Sequence, residues 1–490
     1  MDSSHQVPTN SSGHLPYWSH PFSINDIAVV HNGEPSNYVN HVNKLLHSHG
    51  LSSFAGTDSE VVAYLMYYLL YVYGLNIEDA VRVLIGKPLK HLNDGEVRSL
   101  ARRFRWAMLD GPFAILMDIY FNNDVYLIAL SDRFKPRPMV IGMDENYCYV
   151  TSEETAIKAI SPNARVWTLE LGGYFIASLR RGIISWGRPR EDMDTFFPRR
   201  SFPTYVGKDA VNAEGLGYKE LNEEILRKAL SEERVIRVIN VRGQRFIGVN
   251  LPRYGIRDVR VEMYGAPGNS LANLNNDFEF VVYGNAQDDV ADTTHGDRVA
   301  IHGDARDVIG QALQGGKVFI RGNAGNRVGI QMREYRDRRP YLMIGGKVDD
   351  YLGEYVAGGV ITVLGIGSIN RYSIPLVGKH VGSGMVGGRI YIRGKVPEHR
   401  TGLAVPYPEL RGFLDVVNDE GLGQGETDAL LNVLTRSEHV RRNRIEYREL
   451  SEDEVRELEP ILRRFTREFN INDSIINCLL GSKHIIVTAE

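Results

Sequence analysis

Four glycines at a fixed spacing of 19 residues, Gly265, Gly284, Gly303 and Gly322, close the segments "VRVEMYG", "FEFVVYG", "DRVAIHG" and "GKVFIRG". After insertions the same pattern returns in "GGVITVLG", ending at Gly365, and "GGRIYIRG", ending at Gly394. The residues two and four before each closing glycine are apolar in all six segments, from Met263 and Val261 to Ile392 and Ile390. Those one and three before it are mixed, so each segment alternates with period two and buries one face. A repeat with a single apolar face cannot bury it alone. Stacking successive repeats into a coil does so, with each glycine opening the corner where the chain turns sharply. The spacing predicts a right-handed parallel β-helix over 236–400. An antiparallel sandwich, the competing arrangement, brings strands roughly every 8 to 12 residues with hairpin turns, and the uniform period argues against it.

A chain of 490 residues is too long for one core and holds several domains. Hydrophobic residues at 43%, charged residues at 24% and a net charge of -4 describe an ordinary soluble protein with no field suited to a polyanion, which argues against nucleic acid as the main partner. The most apolar window, "VVAYLMYYLLYVYG" from Val61 to Gly74, contains five tyrosines and is shorter than the ~20 residues a bilayer requires. It reads as a buried helix. The start, "MDSSHQVPTNSSGHLPYW", has neither a basic segment nor an apolar core and does not read as a signal peptide, so a cytoplasmic chain is expected. Two cysteines, Cys148 and Cys478, are too few to hold an iron–sulfur cluster. Both read as small apolar residues.

The first half carries a second feature. In "INDIAVVHNGEPSNY", from Ile24 to Tyr38, an apolar run delivers His-Asn-Gly-Glu to a strand end. The Asn32 amide and the Gly33 N–H form a donor pair suited to a developing oxyanion. Around them stand "PTNSSGHLPYWSHPF", "GTDSEV" (Gly56 to Val61), "LDGPFAILM", "SDRFKPRPMVIG" and "CYVTSEETAI". "GTDSEV" opens a helix with Asp58 at its cap.

The order and spacing of these motifs resemble the class II glutamine amidotransferase domain of glutamate synthases, over about residues 4 to 190. The glycine-turn repeat resembles the GXGXG β-helix domain of the same large subunits. The resemblance implies an α+β chain, with a four-layer αββα N-terminal-nucleophile domain followed by an all-β right-handed parallel β-helix. Its parts are an amidotransferase-like domain at 1–200, a linker with a short helix at 201–235, the β-helix at 236–400 and a helical extension at 401–490. The reaction it implies is glutamine to glutamate and ammonia. Asn32 and Gly33 then serve as oxyanion donors and Asp58 as partner of the glutamine ammonium. Thr9 matches the threonine of an Arg-x-x-Thr motif, and Gln6 stands where that motif has the arginine that binds the carboxylate. A neutral amide lacks the charged bidentate fork.

The family nucleophile is a cysteine at the first residue of the mature chain, with its own α-amine as general base. Here residue 1 is Met and residue 2 Asp, and cutting before Cys148 would discard Asn32, Gly33 and Asp58. Two expectations follow: an upstream start that carries the cysteine, or a degenerate amidotransferase kept as a noncatalytic scaffold. A flavin barrel needs about 250 residues, and the span from Arg200 to Val235 has no room for one. The resemblance therefore implies a hetero-oligomer: FMN on a separate glutamate synthase-type subunit, an iron–sulfur cluster allowed there, and no cofactor or metal in this chain. A weaker alternative is the β-helix subunit of a formylmethanofuran dehydrogenase-like complex, which would leave the first 190 residues unexplained. The final segment reads as helices, with Ser451 an N-cap, a solvated charge run and a closing strand in "HIIVTAE".

Overall fold

The computed structural model describes residues 19–51, 57–86, 103–132, 137–170, 172–187, 202–249, 251–296, 298–366, 376–396 and 443–489. The chain divides into two compact units, Met1–Asp194 and Thr195–Glu490. It is a mixed α/β protein with antiparallel sheets in the first unit and a parallel β-solenoid in the second.

The strands of the first unit are β1 (Phe22–Ile24), β2 (Ile27–Gly33), β3 (Phe113–Phe121), β4 (Asp124–Ser131), β5 (Val140–Met143), β6 (Cys148–Thr151), β7 (Arg165–Thr168), β8 (Tyr174–Ser178) and β9 (Gly182–Trp186). Its helices are α1 (Tyr38–His49), α2 (Asp58–Tyr67), α3 (Ile77–Leu84) and α4 (Glu154–Ile160). Six strands form one sheet in the order β1-β2-β3-β4-β8-β9, and three form another in the order β6-β5-β7. Alternation sends Ile27 and Val29 of β2, with Ile115 and Met117 of β3, into one core with Val62 and Leu65 of α2. Trp167 of β7 meets Phe175 of β8 edge-on at 6.2 Å, and its Nε1 donates to Trp186 O at 3.0 Å. Ile157 of α4 packs against Val140 and Val166. The apolar window is helical but not uniform: α2 gives way to a π-helical turn over Tyr68–Val72, which leaves Tyr71 and Val72 exposed.

The second unit contains β10 (Val211–Asn212), α5 (Tyr218–Leu230), β11 (Val235–Arg242), β12 (Val259–Ala266), β13 (Phe278–Tyr283), β14 (Arg298–Ile301), β15 (Lys317–Ile320), β16 (Tyr341–Ile344), β17 (Ala357–Val363) and β18 (Gly387–Arg393). After them come β19 (Arg444–Arg448), α6 (Glu452–Glu468), α7 (Ser474–Leu480) and β20 (His484–Thr488). Strands β10 to β18 stack in parallel in chain order. The columns run unbroken through the rungs: Val261, Phe280, Val299, Val318, Leu342, Ile361 and Ile390 in one, Met263, Val282, Ile301, Ile320, Ile344, Val363 and Ile392 in the next. All of these are buried.

Two rungs escape the repeat seen in the sequence. β16 closes after a longer insertion, and β11 is bulged between Val238 and Val241, with Asn240 at φ 57°. Helix α5, within the expected linker, places Leu221, Ile225 and Ala229 in the coil's own core. Asn222 fastens it there, donating to Phe246 O at 3.0 Å and accepting from Gly248 N at 2.7 Å.

The glycine turns do more than open corners. Where the whole turn lies among the described residues, a rung carries three left-handed residues at alternate positions, such as Val308, Gly310 and Ala312, then Arg327, Gly329 and Gln331. Alternation turns successive amides in opposite directions along the coil. Val308 N donates forward to Asn326 O at 2.8 Å, Gly310 N back to Val290 O at 2.8 Å, and Ala312 N forward to Ile330 O at 2.8 Å. The middle residue faces the core: a Cβ on Gly329 would lie 2.5 Å from Ile361 Cδ1. Polar ladders flank the turn, where Asp304 Oδ1 accepts from Asn323 N at 2.7 Å and Asp307 Oδ1 from Asn326 N at 2.8 Å.

The expectation of one buried strand face needs correction. Val281, Ala300, Phe319 and Met343, on the outward face, are buried against Ile461, Leu462 and Phe465 of α6. Ser451 caps that helix in a capping box with Glu454. Its charge run is only partly solvated, because Glu468 reaches the coil and pairs with Arg298 at 2.9 Å and Arg260 at 3.6 Å. β20 then pairs antiparallel with β18. Residues 401–442 of the expected extension lie outside the described residues.

An aspartate at Ile320 or at Phe319 would be a buried, unpaired carboxylate costing several kcal/mol, whereas Arg321 is exposed. Ile320→Asp and Phe319→Asp should each lower the melting temperature of the second unit sharply in calorimetry, and Arg321→Asp should change it little. Equal losses for all three would contradict the alternation.

Candidate functional site

The two motifs singled out in the first half meet in space. β2 alternates Ile27, Val29 and His31 toward the helices, and His31 is 4% exposed. Facing it is the start of α2. Thr57, not Asp58, caps this helix: its side chain accepts from Glu60 N at 3.1 Å. Asp58 is therefore the first helical residue and Ser59 the second.

Ser59 Oγ joins the motifs. It lies 3.2 Å from His31 Nδ1, 3.0 Å from His20 Nε2 and 3.4 Å from Asp58 Oδ1. Ser59 N donates to Asp58 Oδ1 at 2.8 Å. Asp58 Oδ2 stands 3.8 Å from His31 Nδ1, within ion-pair range, but the electrostatics oppose a charged pair. Burial, then the positive charges of His20 and Arg137, push the His31 pKa down to about 4. Burial also raises the Asp58 pKa, against the hydrogen bonds from Ser59. The contact is a neutral histidine beside a desolvated carboxylate.

Asn32 and Gly33 occupy the same strand end. Glu34 N donates to Pro112 O at 2.9 Å, and Gly33 pairs with Phe113 and Asn32 with Ala114. Alternation of bonded and non-bonded pairs makes Asn32 and Ala114 a bonded pair, so the Gly33 N–H points away from β3. Gly33 has φ 152°, and any side chain there would meet the Pro112 carbonyl. Asn32 is exposed and belongs by alternation to the strand face opposite His31. No hydrogen bond or ion pair joins Asn32 to Asp58 among the described residues. Gln6 and Thr9 lie outside the described residues.

The cysteines lie elsewhere. Cys148 is half-buried on β6, and Cys478 is exposed on α7 in the second unit. Burial and the nearby Asp144 raise the Cys148 pKa, the reverse of an activated thiolate. Among the described residues no group of three or more His, Cys, Asp or Glu is placed to hold a metal, and no helix is long and apolar enough to cross a membrane. His31 and Ser59 were missed as site residues although both stand inside the quoted motifs. The period-two parity of Ile27, Val29 and His31 is the signal that places the histidine on the buried face.

An uncharacterized protein of Methanocaldococcus jannaschii is 36% identical to this chain over 276 residues, which cover 56% of this chain and 89% of that protein. The chain belongs to the same family as that protein. Residues 223–404 match the GXGXG motif family, a domain found in glutamate synthase and related complexes. An uncharacterized protein of Archaeoglobus fulgidus is 31% identical over 177 residues. There the match covers 34% of this chain and 44% of the relative, so this chain spans less than half of that protein's length.

The buried histidine makes the first unit acid-sensitive. The folded-state pKa of about 4 lies below the ordinary 6.5, so the unfolded chain takes up the proton first. The stability contributed by neutral His31 is present above pH 6.5 and lost as the pH falls through 4, by up to about 3 kcal/mol. All four tryptophans belong to the first unit, so urea unfolding followed by fluorescence reports on it alone. The midpoint should fall over that interval in the native chain, and His31→Gln should flatten the fall.

Proposed function

We propose that this chain is a glutamate synthase-like amidotransferase subunit that hands ammonia to a separate flavin-bearing subunit, in which neither of its own cysteines performs the glutaminase step. The observation that carries the reading is the Ser59–His31 contact, 3.2 Å long, which seats the start of "GTDSEV" on the strand end of "VVHNGE". The Asp58 carboxylate of α2 then stands beside the strand end that carries the Gly33 N–H, which points away from β3, and the exposed Asn32 amide on the other strand face. That is the equipment for holding an amino acid by its ammonium and an oxyanion by two donors.

Other features support it. Helices α1 to α3 pack on the six-stranded sheet, Trp167 brings the three-stranded sheet against that sheet, and Ile157 of α4 packs on the three-stranded sheet. That order is the one expected of a four-layer N-terminal-nucleophile domain. The GXGXG coil adds the second domain of the implied architecture. Hydride and electron chemistry would be the flavin partner's. A noncatalytic scaffold is the second reading, favoured by the raised pKa of Cys148 and the position of Cys478 in the other unit.

Two measurements test the proposal. Calorimetric titration with L-glutamine should give saturable binding that Asp58→Asn weakens about tenfold or more, the worth of one charged hydrogen bond. Purification from native cells should give a yellow complex that oxidises a reductant when supplied with ammonia and 2-oxoglutarate. A colourless monomer would remove the assignment. A complex active with ammonia but not with glutamine would select the scaffold.

A further inference from the structure

A second opening lies at the other end of the six-stranded sheet. β3 is nine residues long, and Gly33 pairs with its first residue, Phe113. Phe121, its last residue, lines a cavity of about 490 Å³ open to solvent. The two ends are about 27 Å apart at the usual strand rise, so this cavity is separate from the Asp58 site.

Its floor is apolar, made by Ile77, Phe121, Tyr126, Ile176 and Ile184. Its rim is charged, and the charges can be matched one by one. Asp124 accepts from Ser178 Oγ at 2.5 Å and from Val125 N at 2.9 Å, with Arg181 Nε 3.8 Å away. Arg181 is further fixed by donating to Tyr126 OH at 2.7 Å, over whose ring it lies. Glu78 accepts from Tyr174 OH at 2.8 Å, and Tyr174 OH in turn accepts from Arg82 at 2.9 Å. Arg181 thus stands beside Asp124, and Arg82, which is not on the lining, reaches Glu78 only through the Tyr174 hydroxyl. Arg180 is the second arginine on the lining: its amide is tied to Asp124 at 3.2 Å, while its side chain is exposed.

The lining carries two carboxylates and two arginines, and among the described residues the Arg180 side chain joins neither carboxylate. An apolar floor with one uncommitted cation at the rim thus fits one ligand class better than others. We propose that this cavity binds a small organic monocarboxylate with an apolar body, its carboxylate on Arg180 and its body on Phe121 and Ile184. A neutral analogue keeps the apolar contact and loses the charged hydrogen bond. An ammonium analogue meets Arg180 as a like charge.

Phenylacetate, phenylacetamide and phenethylamine share one ring and differ in charge. Ligand-observed NMR on the full chain should show saturable binding of phenylacetate, weaker binding of the amide by about tenfold and none of the amine. Arg180→Ala should bring phenylacetate down to the level of the amide, and Arg180→Lys should keep part of the preference. Because the Arg180 side chain is exposed, the melting temperature checks that each variant remains folded. Equal affinity for all three probes, a preference that survives Arg180→Ala in a folded variant, or no saturation by phenylacetate at millimolar concentration would overturn the proposal. Asp58→Asn should leave phenylacetate binding unchanged, so failure of the amidotransferase reading and failure of this one are separable.

Discussion

Most backbone amides in the turns of the coil find their partner on the rung before or the rung after, and that requirement governs the second unit. An ordinary extended segment would satisfy it with one strand direction. Here left-handed residues stand at every second position of the turn, and their amides point forward and back in turn, as at Val308, Gly310 and Ala312. A left-handed residue with a side chain costs about 1 kcal/mol. The coil accepts that cost at exposed outer positions such as Gln331. At inward positions room is a second limit: alanine is accommodated at Ala272 and Ala291, both left-handed and buried, but Gly329 and Gly353 lie too close to Ile361 and Ile390 for any side chain. The glycines are therefore set by two conditions at once, handedness and the absence of room, and the first alone would admit asparagine.

A fixed turn fixes the rise, and a fixed rise lets side-chain ladders extend through many rungs. The Asp304–Asn323 and Asp307–Asn326 contacts each repeat over 19 residues. They stretch to 24 residues between Asn323 and Lys347 without losing the bond, at 2.9 Å. The insertion is thus accommodated away from the ladder. The outward strand face follows the same register, which is why one helix can cover it. Phe465 meets Phe319 edge-on at 5.6 Å. Glu468 stays charged although burial opposes it, because His302, Arg298 and Arg260 outweigh the desolvation.

Much of this was legible in the sequence, for identifiable reasons. The inward columns are legible because burial on that face is uninterrupted. The outward face is not, because it changes character along the coil: Glu262, Val281, Ala300, Phe319, Met343 and Thr362 occupy one column, and only those under α6 need to be apolar. β11 hides behind its bulge, which breaks the count of residues to the glycine. In the first unit, local chemistry misassigned the cap by one residue, since Thr57 and Asp58 are both good caps and only the backbone decides between them. The contact of His31 with Ser59 joins residues 28 apart, and no pattern of spacing could have predicted it.

That contact has an energetic asymmetry that bears on what the site is for. A buried carboxylate in a purely structural role is normally matched by a cation or by several donors. Asp58 has donors from its neighbour Ser59 on one oxygen, and on the other a histidine at 3.8 Å that burial keeps neutral. A protonated His31 would complete an ion pair, yet its surroundings, with His20 and Arg137 nearby, work against the proton. The arrangement thus supplies negative charge without supplying its partner from the histidine. A structural pair would gain from an arginine or lysine in place of His31, which would complete the pair and close the site. A site that receives a ligand's ammonium gains from the opposite choice, because a neutral imidazole fixes Ser59 and leaves the carboxylate's charge to the ligand.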